Sequence, residues 1–400
     1  MYEELAVLAV FAFLYSLISG RIEGLPISGP IIFVVTGLLL GPLGLGWFED
    51  NVSLGQARVL VDLTLALILF IDAANAETSV LRRFLKIPSR MLLLGLPGAI
   101  ALGFAVAAVM FGNLTLFEAA ILGTMLAATD AALGKAVITN EAVPPRLREA
   151  LNFESGFNDG LCVPVLLVFI ALAHGHAEPG LALELVAEEV GIGAAVGLGV
   201  AAGGAWLLKR YANKGWVNKV WVQMSVPSLA FACFAIAQSL HGSGYIAAFT
   251  GGIVFGVLAG EDTHKLVIPG EGIAEALAML TWLTFGALVI GQVIPEFTWE
   301  IVVYAVLSLT IVRIVPIFLS LTGTGESSSS KLFLGWFGPR GLASIVFAII
   351  VIEEGLPGSR YIALVVACTV GLSLVAHGVT ANPLARWIAS ERARTRGELG

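Results

Sequence analysis

Apolar runs of about twenty residues recur along almost the whole chain, and such runs leave room for little except a bundle of helices in a lipid bilayer. Thirteen can be read, at about 5–19, 27–46, 59–77, 91–111, 117–139, 149–173, 188–208, 222–240, 243–260, 270–294, 299–321, 331–352 and 361–388. In hydrocarbon every backbone N–H and C=O must find a partner inside the protein, which a helix provides within itself. A transmembrane barrel would show alternating segments of about ten residues instead. Charge agrees with this reading. Asp, Glu, Lys and Arg make up 13% of the 400 residues, against about 25% in soluble domains. The mean hydropathy is +0.92. The expected fold is an all-α polytopic membrane protein of about 13 transmembrane helices, with residues 1–400 forming one membrane domain.

Basic residues set the expected orientation. With the spans assigned alternately and the N-terminus outside, one set of loops holds 17 Lys and Arg, the opposite set only Arg58 and Arg360. Lys135, Arg313 and Arg340 lie within spans. Basic loops stay cytoplasmic, so the C-terminus is expected inside, with 389–400 as a short cytoplasmic tail that leaves no room for tail-mediated regulation. The start, Met1-Tyr2-Glu3-Glu4, lacks the positive region of a cleaved signal peptide. Gly323–Ser330 reads as a flexible inner linker.

Several function classes drop out. No GxxxxGK[ST] loop is present, and a net charge of −7 gives no sign of nucleic-acid binding. Cys162, Cys233 and Cys368 all fall in spans without a CxxC pair, so they read as small packing residues. No cofactor, nucleotide or nucleic acid is expected, and no enzyme activity.

An ionisable group inside a span is expensive and therefore functional by default. Asp62, Asp72, Asp130, Lys135, Glu154, Asp159, Arg313 and Arg340 are such groups. Thr129-Asp130 lies near the middle of the fifth span, where side chains that compete for backbone hydrogen bonds can break a helix. A broken helix exposes carbonyls and helix ends suited to a cation. In the sixth span Ser155, Asn158 and Asp159 fall at i, i+3 and i+4, on one face. These hard oxygen donors suit Na+ or K+. Glu154 is rotated away from Asp159 and lies at a depth like that of Arg313, which predicts a buried ion pair. Gly338-Pro339-Arg340-Gly341 interrupts the twelfth span, and the Arg340 cation suits exposed carbonyl ends. The two interrupted spans are seven apart, so they point oppositely, as two inverted six-helix repeats with crossed broken helices would require.

Thr129-Asp130, Glu154-Ser155-x-x-Asn158-Asp159-Gly160, Arg313-x-x-Pro316 and Pro339-Arg340-Gly341 together resemble the NhaP-type monovalent cation/proton antiporters, prokaryotic relatives of the animal sodium/proton exchangers. The resemblance covers essentially the full chain. It implies a homodimer in a prokaryotic cell membrane. Residues 1–90 and 222–294 would form the dimerisation side, 91–173 and 299–388 the ion-translocating core, and 188–208 the linking helix. It implies Na+ or K+ ligands from Asp159, Ser155 and the Thr129 backbone with Asp130 nearby, and Glu154 paired with Arg313. Asn158 beside Asp159 resembles the electroneutral members. Asp72 resembles an acidic position that approaches the site, or is a satisfied polar residue near the inner end of its span.

Lys135 departs from the family pattern. It either snorkels toward the cytoplasm or tunes the site electrostatically. Of the five histidines, none belongs to the constellation. The expected activity is exchange of Na+, K+ or Li+ for H+ by alternating access. A passive cation channel or uniporter is the alternative. An aspartyl protease lacks its Gly-x-Gly-Asp motif here, and an organic-anion symporter fits poorly with an acidic site.

Overall fold

The computed structural model describes residues 2–22, 28–47, 54–75, 86–175 and 179–395. Helices account for every membrane-spanning element among them. In chain order they are α1 (Tyr2–Ile22), α2 (Gly29–Leu40), α3 (Leu54–Ala74), α4 (Lys86–Met110), α5a (Leu116–Met125), α5b (Ala131–Ile138), α6 (Pro145–Ala173), α7 (Pro179–Asn213), α8 (Trp221–Ser239), α9 (Gly244–Ala259), α10 (Thr263–Glu296), α11a (Trp299–Leu309), α11b (Ile311–Ser320), α12a (Ser328–Trp336), α12b (Leu342–Glu353) and α13 (Ser359–Thr395). Paired half-helices counted together, these are thirteen crossing segments among the described residues. Eight are long and apolar enough to cross a membrane unaided. Exposed tryptophans sit at both ends of the bundle, Trp47 and Trp299 at one, Trp206, Trp216 and Trp221 at the other. That is where amphipathic rings meet the two membrane interfaces.

Breaks fall where polar or Gly-Pro residues interrupt the apolar runs. Leu126–Asp130 separates α5a from α5b, and Phe337–Gly341 separates α12a from α12b. Helix α4 relaxes into a π turn at Met91–Gly95, just before Pro97. Proline lacks an N–H and crowds the preceding turn, and widening the helix accommodates both. A second π stretch, Phe285–Ile290, lies within α10.

The structure departs from the sequence reading in four places. The seventh helix is longer than 188–208, because polar ends carrying Glu184 and Lys209 extend the apolar run. The eleventh span is not continuous: Thr310, with φ −110° and ψ −93°, divides α11a from α11b. Ser328–Ser330 do not form a flexible linker. Ser327 caps α12a by accepting from the Ser330 amide at 3.1 Å, so the serine run starts a helix. Asp62, near the outer end of the third span, reads from sequence as only interfacial, yet it is 9% exposed and takes two bonds from Arg58 Nε at 2.7 and 2.8 Å, and the Tyr245 hydroxyl of α9 donates to it as well. Arg58 also reaches Glu353 at the end of α12b. Basic positions Arg82 and Arg83, His176 and residues 396–400 lie outside the described residues.

Candidate cation site at the crossed helix breaks

The two breaks meet each other. The Asp130 amide donates to Pro339 O at 2.8 Å, one backbone bond joining the fifth span to the twelfth. Around it three of the four loose helix ends meet an opposite charge. The Asp130 carboxylate accepts from Leu342 N at 2.9 Å and from Leu133 N at 3.4 Å, so one carboxylate faces the positive N-terminal ends of both α12b and α5b. Arg340 Nη1 donates to Ala127 O and Ala128 O, each at 3.1 Å, covering carbonyls freed at the end of α5a. Ser344 donates to Met125 O at 2.8 Å. Gly341 is required by this closeness. A Cβ there would run into the Asp130 carboxylate, which its amide partners hold in place. Gly341→Ala is therefore expected to destabilise the fold by about 1–3 kcal/mol, as overpacking does. A thermal-shift measurement in detergent beside cation-dependent proton flux reads the effect, and both should fall.

Helix α6 brings the remaining predicted residues to the crossing. Glu154 is fully buried and takes a bidentate grip from Arg313, Nη1 to Oε1 at 2.7 Å and Nη2 to Oε2 at 2.8 Å. Asn158 donates to Ala127 O at 3.1 Å, Thr129 Oγ1 at 3.1 Å and Glu154 Oε1 at 3.0 Å, and Cys162 Sγ donates to its Oδ1 at 3.3 Å. Its amide thus ties α6 to the break in the fifth span. Thr129 Oγ1 lies 3.4 Å from Ser155 Oγ.

Asp159 differs from its neighbours. It is 8% exposed, a backbone hydrogen bond reaches its carboxylate from Thr129, and its Oδ1 has no hydrogen-bond partner. Asp72 of α3 lies against α6 at Gly156, where a Cβ would come within 3.3 Å of the Asp72 Cβ. Gly156 and Asp159 are at i and i+3, so Asp72 and Asp159 face the same gap. The structure thus brings together Thr129, Asp130, Ser155, Asn158, Asp159 and Arg340, joins Glu154 to Arg313, and sets Asp72 alongside. The side chain of Lys135 lies outside the described residues.

Three supporting residues were not singled out from sequence. His377 of α13 is 2% exposed and lies 2.9 Å from Trp336 O through Nε2. Nδ1 lies 3.1 Å from the Ser373 hydroxyl and 3.0 Å from Ser373 O, and Ser373 Oγ accepts from the Arg340 amide at 2.7 Å. The chain of bonds holds the break in the twelfth span, so His377 does support the constellation. Glu118 is buried at the start of α5a in a capping box with Thr115, and it accepts from Gly358 N at 2.6 Å. The Thr115-x-x-Glu118 spacing is the signal that could have found it.

Comparison with known proteins agrees with this geometry. The family model described as "Sodium/hydrogen exchanger, transmembrane" matches residues 7–387. The chain is 25% identical over 396 residues to the K(+)/H(+) antiporter NhaP of Alkalimonas amylolytica, covering 98% of this chain and 67% of that protein. It is 25% identical over 379 residues to the Na(+)/H(+) antiporter NhaH of Halobacillus dabanensis, covering 88% and 90%. The chain spans about two thirds of the length of the potassium/proton relatives it matches. Among solved structures, the sodium proton antiporter MjNhaP1 from Methanocaldococcus jannaschii shares the fold, with a TM-score of 0.78 at 22% identity over 96% of this chain and 98% of that one. With crossed helix breaks and a family match over residues 7–387, the chain belongs to the sodium/hydrogen exchanger family.

Proposed function

We propose that this protein is a secondary active antiporter that exchanges Na+ or K+ for H+ by alternating access, with Asp159 as the group that takes either ion. The observation that carries the reading is the Asp159 carboxylate, buried at the helix crossing with one oxygen free of hydrogen-bond partners. Ser155, Thr129 and Asp72 surround it with further oxygen atoms. Asp130 and Glu154 are already committed to helix ends and to Arg313. A single ionisable group that holds a proton or a cation, never both, couples the two fluxes without further machinery. A passive channel gains nothing from such a group.

Asn158 is neutral and committed to structure, so the site carries one charge in either loaded form, and the exchange is electroneutral. The set of loops rich in Lys and Arg faces the cytoplasm of a prokaryotic cell, with the N-terminus outside. Residues 91–173 and 299–388 form the moving core. Residues 1–90 and 222–294 form the side that pairs with a second copy, and 188–208 links the two. Support for the pairing comes from α1, an apolar helix of which only 6% is buried within the chain, with Leu5, Val10, Phe13, Leu14 and Leu17 exposed. Arg58 joins α3 on the pairing side to Glu353 of the core at the outer end, a tie that must part when the site opens outward.

The test uses the purified protein in liposomes with an imposed pH gradient and a pH dye inside. Na+, K+, Li+ and choline are added in turn, with and without a valinomycin/K+ voltage clamp. Cation-specific dissipation that ignores the clamp is the expected result and names the transported ion. Cation flux without proton movement would overturn the reading in favour of a channel.

A further inference from the structure

Asp130 and Arg340 serve three of the four helix ends at the crossing. The fourth, the C-terminal end of α12a, is served by His377 of α13. The Trp336 carbonyl that ends α12a accepts from Gly338 N at 2.8 Å, and His377 Nε2 lies 2.9 Å from the same oxygen. Carbonyls at a helix end have no partner within the helix. At this depth a side chain must supply one, and His377 is 2% exposed.

His377 belongs to a polar stripe. Ser373, His377 and Thr380 fall at i, i+4 and i+7 on α13, so they share one face. Each grips the break in the twelfth span. Thr380 Oγ1 accepts from Trp336 Nε1 at 2.9 Å, His377 meets the Trp336 carbonyl, and Ser373 Oγ accepts from the Arg340 amide at 2.7 Å. His377 Nδ1 lies 3.1 Å from that Ser373 Oγ, so one ring touches both sides of the break. Its face also packs on Trp336, with ring centroids 5.2 Å apart. In the first repeat α6 does the corresponding work on the break in the fifth span, through Asn158 on Ala127 O and Thr129 Oγ1.

The grip on the twelfth span reaches the ion site. Arg340, held at its amide by Ser373, covers Ala127 O and Ala128 O with Nη1, each at 3.1 Å. The next residue is Thr129, whose backbone hydrogen bond reaches the Asp159 carboxylate. We propose that His377 is a positioning residue for the transported cation. It donates through Nε2 to Trp336 O and braces Ser373 against the Arg340 amide, which keeps Arg340 over the fifth-span carbonyls and Thr129 in place beside Asp159. His377 touches neither ion. The proposal rests on the antiport reading and adds a residue on which its cation affinity depends.

Three substitutions at one position test the role of each ring nitrogen. In liposomes, His377→Ala is expected to raise KM for the cation about fivefold, as the loss of one net hydrogen bond would, with Vmax changed less than about twofold. His377→Gln, whose side-chain amide reaches the place of Nε2, should restore most of the affinity. His377→Asn, whose amide reaches only the place of Nδ1, should not. Hydrogen exchange followed by mass spectrometry gives a reading that does not depend on transport. The Asp130 and Arg340 amides, held by Pro339 O and Ser373 Oγ, should exchange about fivefold faster in His377→Ala, while α1 exchanges as before. Should His377→Ala not fold, Ser373→Ala removes the acceptor of the Arg340 amide and should raise KM in the same way. Unchanged KM and unchanged exchange at both amides would overturn the proposal. So would rescue by Asn but not Gln, or a fall in Vmax with KM unchanged, which marks a purely structural role. If the unaltered protein showed no cation-dependent proton movement, the antiport reading would fail, while the exchange experiment would still decide whether His377 holds the break.

Discussion

Replacing Asp159 with Asn is expected to bring cation-dependent proton movement down to the level of protein-free liposomes, with the fold intact. The side chain keeps its size, so the packing of α6 against α3 is preserved. What changes is the charge. An amide cannot release a proton in the working pH range, and its single carbonyl oxygen is a weak match for a desolvated monovalent cation. The neighbouring acids cannot take over. Asp130 holds the N-terminal ends of two half-helices through Leu342 N and Leu133 N, and Glu154 is gripped at both oxygens by Arg313. Stability should move the other way. Asp159 Oδ1 is buried without a hydrogen-bond partner, an arrangement that costs free energy in the folded state. Asp159→Asn should therefore unfold at the same temperature as the unaltered protein or a higher one. Loss of flux with unchanged or raised thermal stability is the signature of a transport residue. Retained cation-dependent flux would remove Asp159 from the mechanism.

Much of this architecture was legible in the chain before any coordinates. Thirteen apolar runs can do little else than cross a bilayer, and charges inside those runs are so costly that each one marks a place of interest. Thr129-Asp130 and Gly338–Gly341 announced their breaks through residues that disturb a helix. Other features left no comparable trace. The division at Thr310 has neither Gly nor Pro to signal it. Glu118, at the outer end of its span, was passed over, although its capping-box spacing to Thr115 was visible. His377 looked like an isolated histidine because its partners, Ser373 and Trp336, become meaningful only once α13 lies beside the twelfth-span break. Local chemistry can be read along a chain, whereas chemistry made by the crossing of distant segments has to be seen.

The Glu154–Arg313 pair gives the second large expected effect, and its sign separates structural from transport roles. Both side chains are within 1% of full burial, and the Arg313 guanidinium lies against Gly338, where an added Cβ would collide with it. The pair therefore fastens α6, α11b and the twelfth-span break at one point. Removing one partner leaves an uncompensated charge in a setting without water, at a cost of roughly 3–5 kcal/mol. Glu154→Gln and Arg313→Met, each alone, should lower the unfolding temperature in detergent and the yield of folded protein. The double variant should be more stable than either single one, because neither stranded charge remains. Asn158 and Thr129 keep their bonds to one another in that variant, through Nδ2 and Oγ1 at 3.1 Å. The double variant should then recover measurable exchange, unlike Asp159→Asn. If the two single losses simply add, the pair is not a coupled unit. If the double variant folds as well as the unaltered protein but moves no ions, Glu154 belongs with Asp159 in the transport step rather than in the frame that holds it.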